Sequence, residues 1–354
     1  VECEPLPPPG FPSPPHPSTA TFLARGRSTG QGLPIAPLRE ELLEKVESHR
    51  VVVIDAATGS GKSTMVPVYL AEQCVASGRS CRILVTQPRR LAAKLLAKHV
   101  SESAGAGVGD LAGYRVGSDK KDNNAPIVYV TVGHILEALV HNPGHLARFS
   151  HFVIDEAHER SVEADFFMAL LRMLLSRPKT LSTRVVVMSA TLQAALGDFF
   201  VPLLLPAPAR ASVGHLSLPG KTNFPVTDMA WDDIEKTWPG VFRGLPTPNF
   251  SDVSPSRDKQ PKRRSDDLTK LCKAMSPFCA RLVFHLRDMG HRIALVFLPG
   301  LDQMREVEKA IEAEGYRGRG APKVYLVHSA LEEDTYREAL QQAPPDDWRV
   351  VLST

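Results

Sequence analysis

Val51-Val52-Val53-Ile54-Asp55-Ala56-Ala57-Thr58-Gly59-Ser60-Gly61-Lys62-Ser63 is the stretch whose reading decides the fold. Its first four residues are apolar and β-branched, as in a short strand buried on both faces. From Ala56 the residues follow the phosphate-binding loop pattern, with Ala in place of its first Gly. Such a loop needs a strand feeding it and a helix leaving it, because the loop N–H groups and the helix N-terminus together form the anion cradle. Gly59 and Gly61 let the backbone curl close to phosphates, Lys62 sets a positive charge against the β- and γ-phosphates, and Ser63 can ligate Mg2+. The plainer alternative is a Gly-rich turn.

Outward from this stretch, Leu38, Leu42, Leu43 and Val46 fall at helical spacing just before it. Apolar strand runs recur at Ile83-Leu84-Val85, Ile127-Val128-Tyr129-Val130, Phe152-Val153-Ile154 and Val185-Val186-Val187-Met188. Helix-like stretches at 90–102, 135–140 and 162–175 lie between them. Strands alternating with helices imply an α/β fold with a parallel sheet and right-handed crossovers, here one complete domain over 38–205.

A second anchor, Asp155-Glu156-Ala157-His158, follows one of these strand runs. A carboxylate at the C-terminal end of a parallel strand stands where doubly wound sheets place their ligands, so Asp155 can hold Mg2+. Glu156 is placed to orient and deprotonate an attacking water. Alone, an acidic pair after a strand also reads as a helix N-terminal cap; its company with Lys62 favours the chemistry.

The remaining segments are less regular. Residues 1–37 open with eight prolines in the first 17 positions, which reads as a flexible tail or a proline-recognition ligand. Residues 206–280 are rich in proline and read as a connection, with a polar insertion at 251–267 whose Arg257, Lys259, Lys262, Arg263 and Arg264 make either a solvated loop or a basic nucleic-acid arm. A strand and helix rhythm resumes over 281–354, as expected of a partial second α/β domain. A net charge of +3 over 354 residues is too small for a whole-chain polycation, so any nucleic-acid site must be local. Five cysteines without a C-x-x-C pair indicate neither a disulfide framework nor a zinc site and fit a reducing compartment. No run of about 18 apolar residues suggests a membrane span.

With five further signatures, the chain resembles the DEAH-box RNA helicases of helicase superfamily two, from about residue 33 to residue 354. The matching segments are 57–64 (motif I), Thr86-Gln87-Pro88-Arg89-Arg90 (Ia), Thr131-Val132-Gly133 (Ib), 155–160 (II), Ser189-Ala190-Thr191 (III), 296–300 (IV) and His328-Ser329. The resemblance implies tandem RecA-like domains of the P-loop NTPase fold, the second incomplete, with ATP clamped between them and RNA held on another face. It implies nucleotide contacts from Thr58, Gly59, Ser60, Gly61, Lys62, Ser63 and Thr64, and Mg2+ at Ser63 and Asp155. Catalysis would rest on Glu156 with Lys62, Asp155 and His158, coupling on Ser189, Ala190 and Thr191, and RNA contact on Arg89, Arg90, Thr131, Gly133 and Ser329. Where the family stacks adenine between an Arg and an aromatic residue, His99 and Leu340 stand here, so weak base discrimination is expected. Residues 349–354 resemble the start of motif V, and the arginines of motif VI are not in the sequence. With Val1 in first place, this suggests a truncated piece with near-background hydrolysis.

The expected function is ATP-dependent translocation on, or unwinding of, RNA in the nucleus or cytoplasm, with room for an activating protein partner. Two rivals stay open: a non-catalytic nucleotide-dependent RNA-binding module, and a DNA helicase.

Overall fold

The apolar runs fold into two parallel sheets, each in its own unit: residues 1–226 and 227–354. The computed structural model describes residues 17–79, 81–175, 183–191, 199, 213–218, 226–246, 261–315, 322–328, 338–340 and 347–354.

In the first unit the strands are β1 (Val51–Ala56), β2 (Ile83–Gln87), β3 (Ala112–Val116), β4 (Asp119–Lys121), β5 (Ile127–Thr131), β6 (His151–Ile154), β7 (Arg184–Ser189) and β8 (Gly214–Leu218). They lie in the order β4-β3-β5-β2-β6-β7-β1-β8, parallel throughout except for the β3–β4 hairpin. The register sets Val51 beside Val185 and Ile83 beside both Ile127 and His151, so the C-terminal ends of β1, β2, β5, β6 and β7 lie along one edge. That edge is where an open parallel sheet leaves its crevice.

The helices α1 (Pro17–Thr29), α2 (Arg39–Ser48), α3 (Lys62–Ala76), α4 (Arg90–Ser103), α5 (Val132–His141) and α6 (Val162–Leu175) cover the sheet. One face packs Ile54, Ile83, Val85 and Tyr129 against Leu42, Val66 and Leu70. The other packs Leu84, Val128, Phe152 and Val185 against Leu139, Phe167 and Leu171. Burial on both faces is why these strands read as unbroken apolar runs instead of alternating ones.

Three sequence boundaries shift. Residues 1–16 of the expected tail lie outside the described residues, but 17–37 are structured: α1 buries Leu23, and Ile35 is wholly buried before a short 3-10 turn at Ala36–Leu38. Composition alone hides this, because α1 carries few large apolar residues and docks through small ones. Gly26 is buried where an added Cβ would sit 3.5 Å from Ala104 Cβ. The first sheet also extends past residue 205, since β8 pairs in parallel with β1. Finally, no boundary falls at 281: one helix runs from Pro261 to Asp288 and so takes in the end of the expected insertion, whose residues 251–260 lie outside the described ones.

The second unit holds β9 (Ile293–Phe297), β10 (Lys323–Val327) and β11 (Arg349–Ser353), in the order β10-β11-β9, all parallel. The helices Pro261–Asp288 and Leu301–Gly315 bury Val283, Phe284, Met304, Val307 and Ile311 against Val350 and Leu352. No helix among the described residues is long and apolar enough to cross a membrane.

Candidate active site

The loop after β1 is built around two glycines in left-handed backbone, Gly59 at φ +81° and Gly61 at φ +88°. A Cβ on Gly61 would also stand 2.8 Å from Leu33 Cδ1, so space and conformation both demand glycine there. Gly61 gives α3 no capping side chain, which leaves the leading N–H groups of that helix facing the loop. The Ser60 carbonyl accepts a hydrogen bond from the Ile35 N–H at 3.0 Å, so the segment before α2 braces the loop from behind. The Ser60 hydroxyl is buried and has no partner among the described residues.

Lys62, the first residue of α3, is 3% exposed, and its Nζ lies 3.5 Å from Glu156 Oε1. Asp155 follows β6 directly and is buried. One of its carboxylate oxygens accepts from the Gln87 amide, and the other from the Glu156 N–H at 3.0 Å. Burial pushes the Asp155 carboxyl up to about 6, against the pull of the Ser63 hydroxyl and of Lys62. A divalent cation beside Ser63 and Asp155 would reverse that penalty. The orphaned Ser60 hydroxyl, the glycine-only cradle and this buried carboxylate facing a hydroxyl and an ammonium fit a metal-bound polyphosphate.

Glu156 sits at φ +52°, a left-handed conformation that costs a non-glycine residue roughly 1–2 kcal/mol. This backbone bend opens the 3-10 turn Ala157–Glu159. His158 Nδ1 accepts the Ala190 N–H at 3.3 Å and lies 3.5 Å from Glu156 Oε2. A ring nitrogen that accepts from Ala190 cannot also carry a proton to Glu156, so these two contacts are alternatives. The Ser189 hydroxyl donates to the Thr191 carbonyl at 2.7 Å and receives the Thr191 N–H at 3.3 Å, which makes 189–191 a tight turn joined to motif II through His158.

The structure thus brings together Lys62, Ser63, Asp155, Glu156, His158 and Ala190. Other expected residues stand apart from that group. The Thr64 hydroxyl is turned back on the Gly61 carbonyl at 3.0 Å, Thr58 is exposed, and His99 is exposed on α4. Arg89 and Arg90 project into solvent at the start of α4, Arg89 with an ion pair to Glu159 at 3.2 Å. Thr131, by contrast, is 9% exposed at the end of β5, and Gly133 is half-buried in the first turn of α5. Ser329 and the Leu340 side chain lie outside the described residues.

Two supporting residues escaped the sequence reading. The Tyr129 hydroxyl donates to the Ser63 carbonyl at 2.8 Å from a wholly buried ring, and burial drives its own ionisation well above the usual phenol range. Gln87 clamps Asp155. The available signals were a lone aromatic inside a β-branched strand run and an amide at a strand's C-terminal end.

Residues 36–199 match the family described as DEAD/DEAH box helicase. Over 344 residues the chain is 31% identical to a probable ATP-dependent RNA helicase spindle-E of Culex quinquefasciatus, covering 91% of this chain and 22% of that protein. Over 353 residues it is 28% identical to the DExH-box ATP-dependent RNA helicase DExH1 of Arabidopsis thaliana, covering 91% and 34%. The crystal structure of the Escherichia coli DEAH/RHA helicase HrpB matches with a TM-score of 0.64 and 25% identity, over 91% of this chain and 34% of that one. The chain therefore spans between about a fifth and a third of these relatives' lengths.

Proposed function

We propose that the chain is the nucleotide-binding motor segment of an ATP-dependent RNA helicase, a reading supported by the match of residues 36–199 to the DEAD/DEAH box helicase family. The observation that carries this is the meeting of Lys62, Asp155 and Glu156 at the mouth of the glycine-only loop. Ser63 and Asp155 would hold Mg2+, and the loop N–H groups with Lys62 would hold the phosphates. When bound, the metal supplies charge neutralisation on the phosphate oxygens. Glu156 would accept a proton from water, with Lys62 fixing its carboxylate until phosphate takes the ammonium. His158 ties this carboxylate segment to the 189–191 turn.

The relatives named RNA helicases support RNA as the nucleic acid, and Arg89 with Arg90 supports a grip on its phosphates that is sequence-tolerant and weakened by salt. The 354 residues hold no Gln-Arg-x-Gly-Arg-x-Gly-Arg run, so this chain by itself would bind Mg-ATP and hydrolyse it slowly. Calorimetry of Mg-ADP and Mg-ATP tests the reading. Lys62→Ala should abolish binding, whereas Glu156→Gln should keep it and remove whatever turnover exists. Equal nucleotide affinity for the chain and its Lys62→Ala form would refute the site.

A further inference from the structure

Arg89 ends a three-residue stretch that touches motif II at both ends. Gln87 donates its amide to Asp155, and two residues on, the Arg89 guanidinium meets Glu159 Oε1 at 3.2 Å across 70 residues of sequence. Glu159 closes the same 3-10 turn that carries His158, so its backbone is held in the segment that follows Asp155 and Glu156. Both partners face water, Arg89 at 71% and Glu159 at 33% side-chain exposure. A guanidinium fork takes carboxylate and phosphate oxygens in the same geometry. An exposed pair of this kind is worth roughly 0–1 kcal/mol, weak enough for a phosphate to displace.

We infer that Glu159 is an internal stand-in for RNA phosphate, which occupies the Arg89 fork in the free protein and must be displaced when a nucleic-acid backbone docks. The inference rests on the RNA reading proposed above and adds to it a regulatory residue that touches neither nucleotide nor RNA. Displacement frees the carboxylate that neighbours His158, so RNA docking is felt in the turn that links motifs II and III.

The test is fluorescence anisotropy of a labelled oligouridine with the full chain, at low and at high potassium chloride, for the unaltered protein, Glu159→Gln, Arg89→Ala and the double substitution. Glu159→Gln should tighten RNA binding about two- to five-fold, which is the exposed-pair energy returned. Arg89→Ala should weaken binding and lower the salt slope by about one. In the Arg89→Ala background, Glu159→Gln should bring no gain. Unchanged affinity in Glu159→Gln overturns the inference, and so does an equal gain in both backgrounds, because that would be a general loss of negative charge. A chain that binds no RNA in any form overturns the proposed function as well, whereas RNA binding indifferent to Glu159 overturns this inference alone.

Discussion

Gly61 meets two demands, and they can be separated. Its φ of +88° would cost alanine roughly 1–2 kcal/mol, and the added Cβ would lie 2.8 Å from Leu33 Cδ1. The leucine methyl can swing away, but Leu33 Cβ at 3.1 Å and Ile35 Cγ2 at 3.3 Å stay close, and the backbone angle cannot relax without moving Ser60 and Lys62. Gly61→Ala should therefore lower stability by about 1–3 kcal/mol and reduce Mg-nucleotide affinity at least tenfold. Adding Leu33→Ala should restore little of either, as thermal unfolding and calorimetry would read out; full recovery would mean that collision, not strain, makes the glycine necessary. The grouping of side chains at this scale was legible because Gly59, Gly61, Lys62 and Ser63 are chain neighbours, and because Asp155 and Glu156 follow an obvious strand. The supports were not legible, since Tyr129 reaches Ser63 across 66 residues and Gln87 reaches Asp155 across 68. Thr131 shows a related limit: a hydroxyl at a strand end reads as available, whereas it is 9% exposed here, and burial depends on what packs above it.

Among the elements, those buried on both faces announced themselves. β1, β2, β5, β6 and β7 each carry an unbroken apolar run of three or four residues, mostly Val, Ile and Leu, as strands buried on both faces do. The elements that were missed have shallow signals: β8 places Gly214 and Leu216 inward with polar neighbours, and α1 inserts Leu23 among small and polar residues. α1 nonetheless has a defined seat on α3 and α4. Its Arg27 pairs with Glu72 of α3 at 2.8 Å, and Arg39 at the start of α2 shares that carboxylate at 2.9 Å. A residue in a tail could be truncated without penalty, whereas Leu23 is 1% exposed. Leu23→Ala should cost about 2–4 kcal/mol, measured by urea unfolding, and Arg27→Ala well under 1 kcal/mol because that side chain is half in water. An effect of Leu23→Ala within a few tenths of a kcal/mol would return residues 17–37 to the status of a tail.

At the scale of the molecule, the two units need not unfold together, so stability is best followed in the larger one by a local probe. That unit carries a buried acid-sensitive group far from the nucleotide loop. His145 is 8% exposed, its Nδ1 has no partner among the described residues, and its ring packs edge-on against Phe149 at 5.4 Å. Burial, and then Arg148, Arg115, Arg82 and His134 around it, depress its ionisation to about 4. The carboxylate of Asp122 is already engaged by Arg82 and Arg115, at 3.1 and 2.6 Å, and so offers the ring little relief. An unfolded histidine ionises near 6.5, so between pH 6.5 and 4 the unfolded chain binds the proton and the folded chain refuses it. Stability from this group is therefore full above pH 6.5 and falls as the pH drops towards 4, by up to about 3 kcal/mol. The Tm of the first unit, read from the nuclear magnetic resonance signals of its buried Ile83 and Ile127 methyl groups, should drop by about 5–10 °C more between pH 7 and pH 4.5 than in His145→Gln, whose amide does not titrate. Parallel curves for the two proteins would show that the surrounding arginines move aside and let water reach the ring, and that the cluster is looser than its packing implies.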